Sequence, residues 1–187
     1  MIRKSKYNIN PLILERWSPR AMSGENITKK ELMTIFEAGR FAPSAYNKQP
    51  WKFLYAFKDD FEWSLFFDTL VDFNKEWAKN ASVLVLIISD KFIFDRESNV
   101  NKFDAGAAWE NMALQASSMG LVVHGMSGFD YNKIRNNLNI PEDYDIVIIF
   151  AIGKKGSINN LSKEFQEREK ISKRKDLSEI VIKGKYK

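Results

Sequence analysis

Apolar residues in this chain recur either at helical spacing or in unbroken runs, and each pattern predicts a different element. Leu32, Ile35, Phe36 and Gly39 follow the capping-box pattern Thr28-Lys29-Lys30-Glu31 and predict a helix from Thr28 to about Phe41 with one buried face. Val83 to Ser89 carries no charge, as expected of a central strand covered on both faces. Trp51 to Phe57 and Tyr144 to Ile152 read as further strands, the second closed by Gly153, and Leu121 to Val123 as a short one. Between them the spacing predicts a helix over Phe61 to Leu70 capped by Asp59, and another over Phe73 to Lys79. The longest helix is predicted over Asp104 to Met119, rich in small residues and closed at Gly120, and an Asp130-capped helix over Tyr131 to Leu138. Asp90 to Lys102 and His124 to Asp130 read as loops. Leu177, Ile180, Val181 and Ile182 suggest an extended piece added to the body or to a partner. Strands mixed with helices in this order predict a sheet with helices on both faces.

One stretch stands out for chemistry. Gly39 to Phe53 closes the first capped helix, with Pro43 as its stop, displays Ser44, Asn47, Lys48 and Gln49, and enters a strand through Pro50. A polar turn held between two regular elements is a common place for a small-molecule site, and also a common plain connector. Upstream, Arg16-Trp17-Ser18-Pro19-Arg20 flanks a hydroxyl with two guanidiniums, a donor set suited to phosphate.

Composition narrows the classes. A chain of 187 residues, 44% hydrophobic and 28% charged, has the composition of a globular domain with one substantial core. It contains no cysteine and one histidine, which excludes disulfides, thiolate chemistry and multi-histidine metal centres; no metal is expected. No glycine fingerprint follows the first strand and no phosphate-binding glycine-lysine loop occurs, which argues against dinucleotide-binding and nucleoside-triphosphatase folds. The N-terminus lacks an apolar signal core and no segment reaches membrane-span length, so the expected location is cytoplasmic, without a membrane partner. The net charge of +5 invites a nucleic-acid reading. Its basic C-terminal region is interrupted by acids and lacks an RNA-binding aromatic signature, so nucleic acid is the less favoured partner.

Taken in order, Arg-x-Ser-x-Arg, APSAYNKQPW, an alanine-rich helix ending Gly-Leu, Gly-Phe-Asp and a strand ending Ile-Gly resemble the FMN-dependent nitroreductase family. The resemblance runs from Arg16 to the region of Arg174. It implies an α+β, three-layer fold with a central, mostly antiparallel sheet flanked by helices and completed by exchanged terminal segments in a dimer. It implies a single FMN-binding domain over residues 1–187, with an N-terminal arm (1–12), loosely held over its first ten residues, and a basic C-terminal extension from about 157 to 187. It further implies a homodimer with two FMN sites at the subunit interface.

The same resemblance assigns roles. Arg16, Ser18 and Arg20 match phosphate- and ring-binding positions. Pro43, Ser44, Ala45, Asn47 and Gln49 match the turn that the neighbouring subunit contributes. Asn74 matches an asparagine at the flavin pyrimidine edge, and Trp77 replaces a basic residue of the family. Gly125, Met126, Ser127 and Gly128 match a loop beside the ring, Ser127 standing where many relatives have glutamate. Lys173 and Arg174 fall near a basic phosphate-binding pair.

Chemistry at flavin N5 requires no catalytic side chain. NADH or NADPH is the implied electron donor, in ping-pong order with a nitroaromatic, quinone or similar small aromatic acceptor. Phe66, Phe67, Trp77, Phe92 and Phe94 are candidates for an aromatic slot wall, with core packing as the alternative. His124 reads either as a proton donor or as a structural residue beside a strand end. Two other readings stand: a same-fold flavoprotein performing dehalogenation or flavin fragmentation, and a non-catalytic, basic nucleic-acid-binding protein.

Overall fold

The strand β2 (Val83–Asp90) is the centre of the sheet because every residue from Val83 to Ser89 is buried. Its side chains alternate: Leu84, Leu86 and Ile88 enter one apolar cluster, Val83, Val85 and Ile87 the other. A computed structural model describes residues 3–186. In it β1 (Trp51–Phe57), β2, β6 (Tyr144–Lys154) and β5 (Leu121–Met126) form one sheet in the order β1-β2-β6-β5, with every pairing antiparallel. A short hairpin of β3 (Phe92–Ile93) and β4 (Arg96–Glu97) stands apart.

On one face lie α1 (Pro11–Glu15), α2 (Lys29–Arg40) and α5 (Asn101–Ser118). On the other lie α3 (Trp63–Phe67), α4 (Asp72–Ala78), α6 (Tyr131–Asn137) and α7 (Lys163–Arg168). The expected α+β arrangement of helices flanking a central antiparallel sheet is therefore present. The capping box of α2 forms as its sequence predicts: Glu31 N–H donates to the Thr28 hydroxyl at 3.2 Å, and Thr28 N–H to the Glu31 carboxylate at 2.7 Å. Asp130 likewise caps α6, accepting from the amides of Asn132 and Lys133. α2 and α5 approach closely at Gly39, where a Cβ would fall 2.8 Å from Met112 Cγ.

Four expectations are corrected. Asp59 does not cap a helix from Phe61: its carboxylate accepts from Asn26 Nδ2 at 2.6 Å, and Asp60 accepts from Phe57 N–H in a tight turn. α3 consequently starts only at Trp63. α5 begins at Asn101 rather than Asp104, because buried Asn101 is tied to the sheet by its amide on Asp145 at 2.8 Å and by Ser89 Oγ on its carbonyl. β5 continues through His124, Gly125 and Met126, which pair with Ala151, Phe150 and Ile149 instead of forming a loop. Leu177–Ile180 is a short helix, α8, not an extended piece; it opens at Asp176, whose N–H donates to the Glu179 carboxylate at 2.8 Å.

Within the arm, Arg3 is tied back to the body, its Nη1 donating to the Arg16 carbonyl at 2.7 Å, while residues 4–10 are exposed. Among the described residues no helix is long and apolar enough to cross a membrane, and no group of three or more metal-ligating side chains occurs.

Candidate functional site

Arg16 to Arg20 is an irregular segment, and its position is set by what it touches. α1 ends at Arg16, where the backbone becomes extended. Arg16 Nη1 donates to Ser18 Oγ at 3.4 Å, and its Nε lies 3.5 Å from the Glu110 carboxylate on α5. Arg3 and Arg174 share Ser172: Arg3 Nε reaches its carbonyl, and Arg174 Nη1 donates to its hydroxyl at 2.8 Å. Desolvation lowers the Arg3 pKa, and the charges of Arg174 and Arg16 lower it further. Three guanidiniums thus gather with Glu110 as the partner of one. The side chain of Lys173 is exposed and makes no hydrogen bond or ion pair among the described residues, so of the two C-terminal candidates Arg174 is the one brought to this group.

Arg20 differs from the others. Its Nε is buried without an acceptor among the described residues, its guanidinium carbon lies 5.7 Å from the centre of the Phe165 ring, and desolvation lowers its pKa. Glu169, just past α7, accepts from the backbone N–H of Arg20 at 2.9 Å and of Ala21 at 2.8 Å. On β5 the Nδ1 of His124 lies 3.1 Å from the Pro19 carbonyl oxygen, a contact that assigns the ring proton to Nδ1. Burial, with the Arg20 charge adding to it, pushes the His124 pKa down to about 4. Its ring packs on Trp77 at 4.6 Å.

The loop after β5 forms a second group of donors. The backbone N–H groups of Ser127 and Gly128 meet no acceptor among the described residues. The Gly128 carbonyl accepts from Asn74 Nδ2 at 2.9 Å and from Val71 N–H at 3.1 Å, which brings Asn74 to the loop. Gly125 and Met126 belong to the strand, and Met126 is buried there opposite Ile149 of β6. The slot-wall expectation fails for Phe66 and Trp77, both buried in the core. Phe67 stacks on Trp63, while Phe92 and Phe94 are exposed.

The turn at Pro43 to Gln49 lies elsewhere along α5. The Asp104 carboxylate accepts from Ala45 N–H at 3.0 Å, Ser44 Oγ accepts from Gln49 N–H at 2.9 Å, and Gln49 Nε2 donates to the Asn47 carbonyl at 3.1 Å. Tyr46, Asn47 and Gln49 adopt left-handed backbone at φ of 52°, 53° and 50°. The Asn47 amide makes no hydrogen bond among the described residues and is exposed, so it does not hold its own turn together through its side chain. No hydrogen bond or ion pair among the described residues links this turn to the arginine group. Two clefts, of about 570 and 710 Å³, lie along α2 and beside the β3–β4 hairpin, and neither includes Arg16, Ser18, Arg20, Asn74 or Ser127.

The sequence matches the profile of the nitroreductase family over residues 13–62 and 62–154. The chain belongs to the nitroreductase family. It is similar to a solved oxidoreductase containing FMN, with a TM-score of 0.95 and 42% identity across 99% of this chain and 96% of that one. A protein of Archaeoglobus fulgidus, provisionally named an NADH dehydrogenase/NAD(P)H nitroreductase, is 26% identical over 76% of this chain and 82% of its own length. A nitroreductase family protein from Streptococcus pneumoniae, 20% identical, shares the fold with a TM-score of 0.75 over 92% of this chain and 98% of that one. The nitroreductase match encloses Arg16 to Arg20, the turn, Asn74 and the loop after β5, and ends before Lys173 and Arg174.

Sequence reasoning missed Arg3, Asp104, Glu110 and Glu169. Their contacts span long separations in sequence, Glu169 to Arg20 being 149 residues, and no local pattern marks them.

Proposed function

We propose that this nitroreductase-family chain is an FMN-dependent oxidoreductase that uses NADH or NADPH to reduce nitroaromatic, quinone or related flat acceptors, working as a homodimer. The observation that carries this reading is the gathering of guanidiniums at Arg3, Arg16 and Arg174, together with the buried Nε of Arg20 on the same Arg16–Arg20 segment, which has no acceptor among the described residues. A desolvated donor left unpaired costs free energy, about 1–3 kcal/mol, which a bound anion would recover. A phosphate monoester fits that donor set, with Arg16, Ser18, Arg20 and Arg174 as its holders.

The amides of Ser127 and Gly128, which meet no acceptor among the described residues, suit with the nearby Asn74 amide the polar edge of a flat heterocycle. FMN combines these two features, and its ring system carries electrons between a nicotinamide and an acceptor when bound. The protein's part is binding, orientation and exclusion of water. His124, held neutral by its surroundings and hydrogen-bonded to the backbone, suits a structural role better than that of a proton donor.

Dimerisation is supported by the separation of the two polar groups. In the single chain the turn carrying Pro43, Ser44, Ala45, Asn47 and Gln49 makes no hydrogen bond or ion pair with the arginines among the described residues, which fits a site shared between subunits. Phe41, Tyr46 and Phe103 are 71%, 81% and 78% exposed, apolar surface that a partner would cover. We expect purified protein to be yellow, to release FMN on denaturation, and to sediment as a dimer. A colourless protein that takes up no FMN on reconstitution overturns this reading. Steady-state rates with each nicotinamide against nitroaromatic and quinone panels then test the donor and acceptor classes.

A further inference from the structure

We propose that His124 and Glu169 are positioning residues for the Arg16–Arg20 segment, gripping its backbone from two separate elements so that its guanidiniums are held in place without serving as anchors. The inference rests on the FMN reading above and adds to it how the anion-binding arginines are fixed.

The segment has no helix or strand of its own, so its shape must come from outside. Three successive backbone groups supply the handles. The Pro19 carbonyl meets His124 Nδ1 at 3.1 Å, and the amides of Arg20 and Ala21 both meet Glu169 Oε1, at 2.9 and 2.8 Å. One grip comes from β5 in the sheet and the other from the residue that ends α7. Immediately beyond, Ala21 O accepts from Gly156 N–H at 2.8 Å and Met22 bridges to Lys155, so the downstream end is tied to the chain following β6.

The economy of charge argues for positioning rather than simple ion pairing. Glu169 lies within reach of Arg20, yet its carboxylate is aimed at two amides, and it makes no ion pair with any Lys or Arg among the described residues. A carboxylate bound to the Arg20 guanidinium would satisfy it and leave less for an anion. Aimed at the backbone, it fixes the chain and leaves the donor free. His124 works in the same sense from the other element: as a neutral Nδ1–H donor it binds the carbonyl, whereas an imidazolium beside Arg20 would push the guanidinium away. Two aromatic rings complete the arrangement, Trp77 against the imidazole and Phe165 beside the Arg20 guanidinium.

The test compares FMN with riboflavin, which lacks only the phosphate, by equilibrium titration of apoprotein, with thermal melting of each apoprotein alongside. His124→Leu removes the donor, and His124→Asn restores it, since the asparagine amide can reproduce Nδ1–H. Glu169→Ala removes the acceptor, and Glu169→Gln keeps one acceptor oxygen. Loss of such a bond is expected to lower the FMN-to-riboflavin affinity ratio about tenfold in His124→Leu and Glu169→Ala. His124→Asn and Glu169→Gln should recover most of that ratio. A general loss of structure would weaken both flavins equally, leaving the ratio unchanged, and that result overturns the inference, as does failure of the conservative variants to rescue. If one deletion variant does not fold, the other element's pair decides by the same comparison. Wild-type protein that binds neither flavin overturns the cofactor reading itself, and the inference with it.

Discussion

The side-chain amide of Asn74 donates to the carbonyl oxygen of Gly128 at 2.9 Å, joining α4 to the loop that follows β5. The contact exists because position 128 has no side chain: a Cβ there would lie 2.9 Å from Asn74 Nδ2 and 3.0 Å from Val71 Cγ2. Gly128→Ala must therefore displace the amide or move the loop. We expect a loss of about 1–3 kcal/mol in urea unfolding, the usual cost of overpacking. FMN affinity should fall with it, read by quenching of flavin fluorescence; an unchanged affinity would separate the loop from the cofactor.

Asn47 can be probed without disturbing its turn. Its φ of 53° favours asparagine or glycine, so Asn47→Ala mixes loss of the amide with backbone strain of about 1–2 kcal/mol. Asn47→Gly keeps the backbone accessible and removes only the side chain. Folding stability should change by less than about 1 kcal/mol in Asn47→Gly, since the amide has no bond to lose and glycine adds only chain entropy. FMN affinity should nevertheless fall by about an order of magnitude, the loss expected for one hydrogen bond to a bound ligand. Undiminished affinity in that variant would remove Asn47 from the site.

His124 sets a pH dependence whose direction is fixed. Its folded pKa of about 4 lies below the ordinary 6.5, so the neutral ring is the form the fold favours. Its contribution is complete above about pH 6.5 and is lost as pH falls towards about 4, amounting to about 3 kcal/mol over that window. Carboxylates titrate in the lower part of the same range, so the measurement is the difference between wild type and His124→Asn in urea unfolding across it. Wild type should lose more stability than the variant, and parallel losses would show that the ring is not held neutral.

The C-terminal basic pair should divide unequally. Arg174 shares Ser172 with Arg3 and adds to the local positive potential, whereas Lys173 makes no hydrogen bond or ion pair among the described residues. Arg174→Ala should weaken FMN about tenfold while barely affecting riboflavin, with the loss shrinking as salt rises. Lys173→Ala should leave both affinities within about twofold, since an exposed lysine without partners contributes little. The reverse ranking in the same titrations would shift the assignment by one residue.

Local signals in the sequence decide an element where they are self-contained. The capping box at Thr28 and Glu31, the cap at Asp130 and the charge-free run at Val83 each carry their own physical reason, and each element formed. Readings failed where a distant partner decided the outcome. Asp59 resembled a helix cap until Asn26 took its carboxylate, and His124-Gly125-Met126 resembled a loop until β6 supplied a ladder for it. The candidate site divides in the same way. Its motifs were legible, while the groups that hold them, Asp104, Glu110 and Glu169, became visible only once the chain was folded.

Two of those holders, Asp104 and Glu110, sit on α5. One carboxylate anchors the polar turn at Ala45 and the other faces Arg16, six residues further along the same helix, a rise of about 9 Å. α5 therefore acts as a caliper whose jaws are set by helical pitch rather than by side-chain adjustment. Individual residues on its surface can drift without altering that gauge. A one-residue insertion between the two carboxylates would turn one by about 100° relative to the other, and neither the turn nor Arg16 could follow without abandoning its hold.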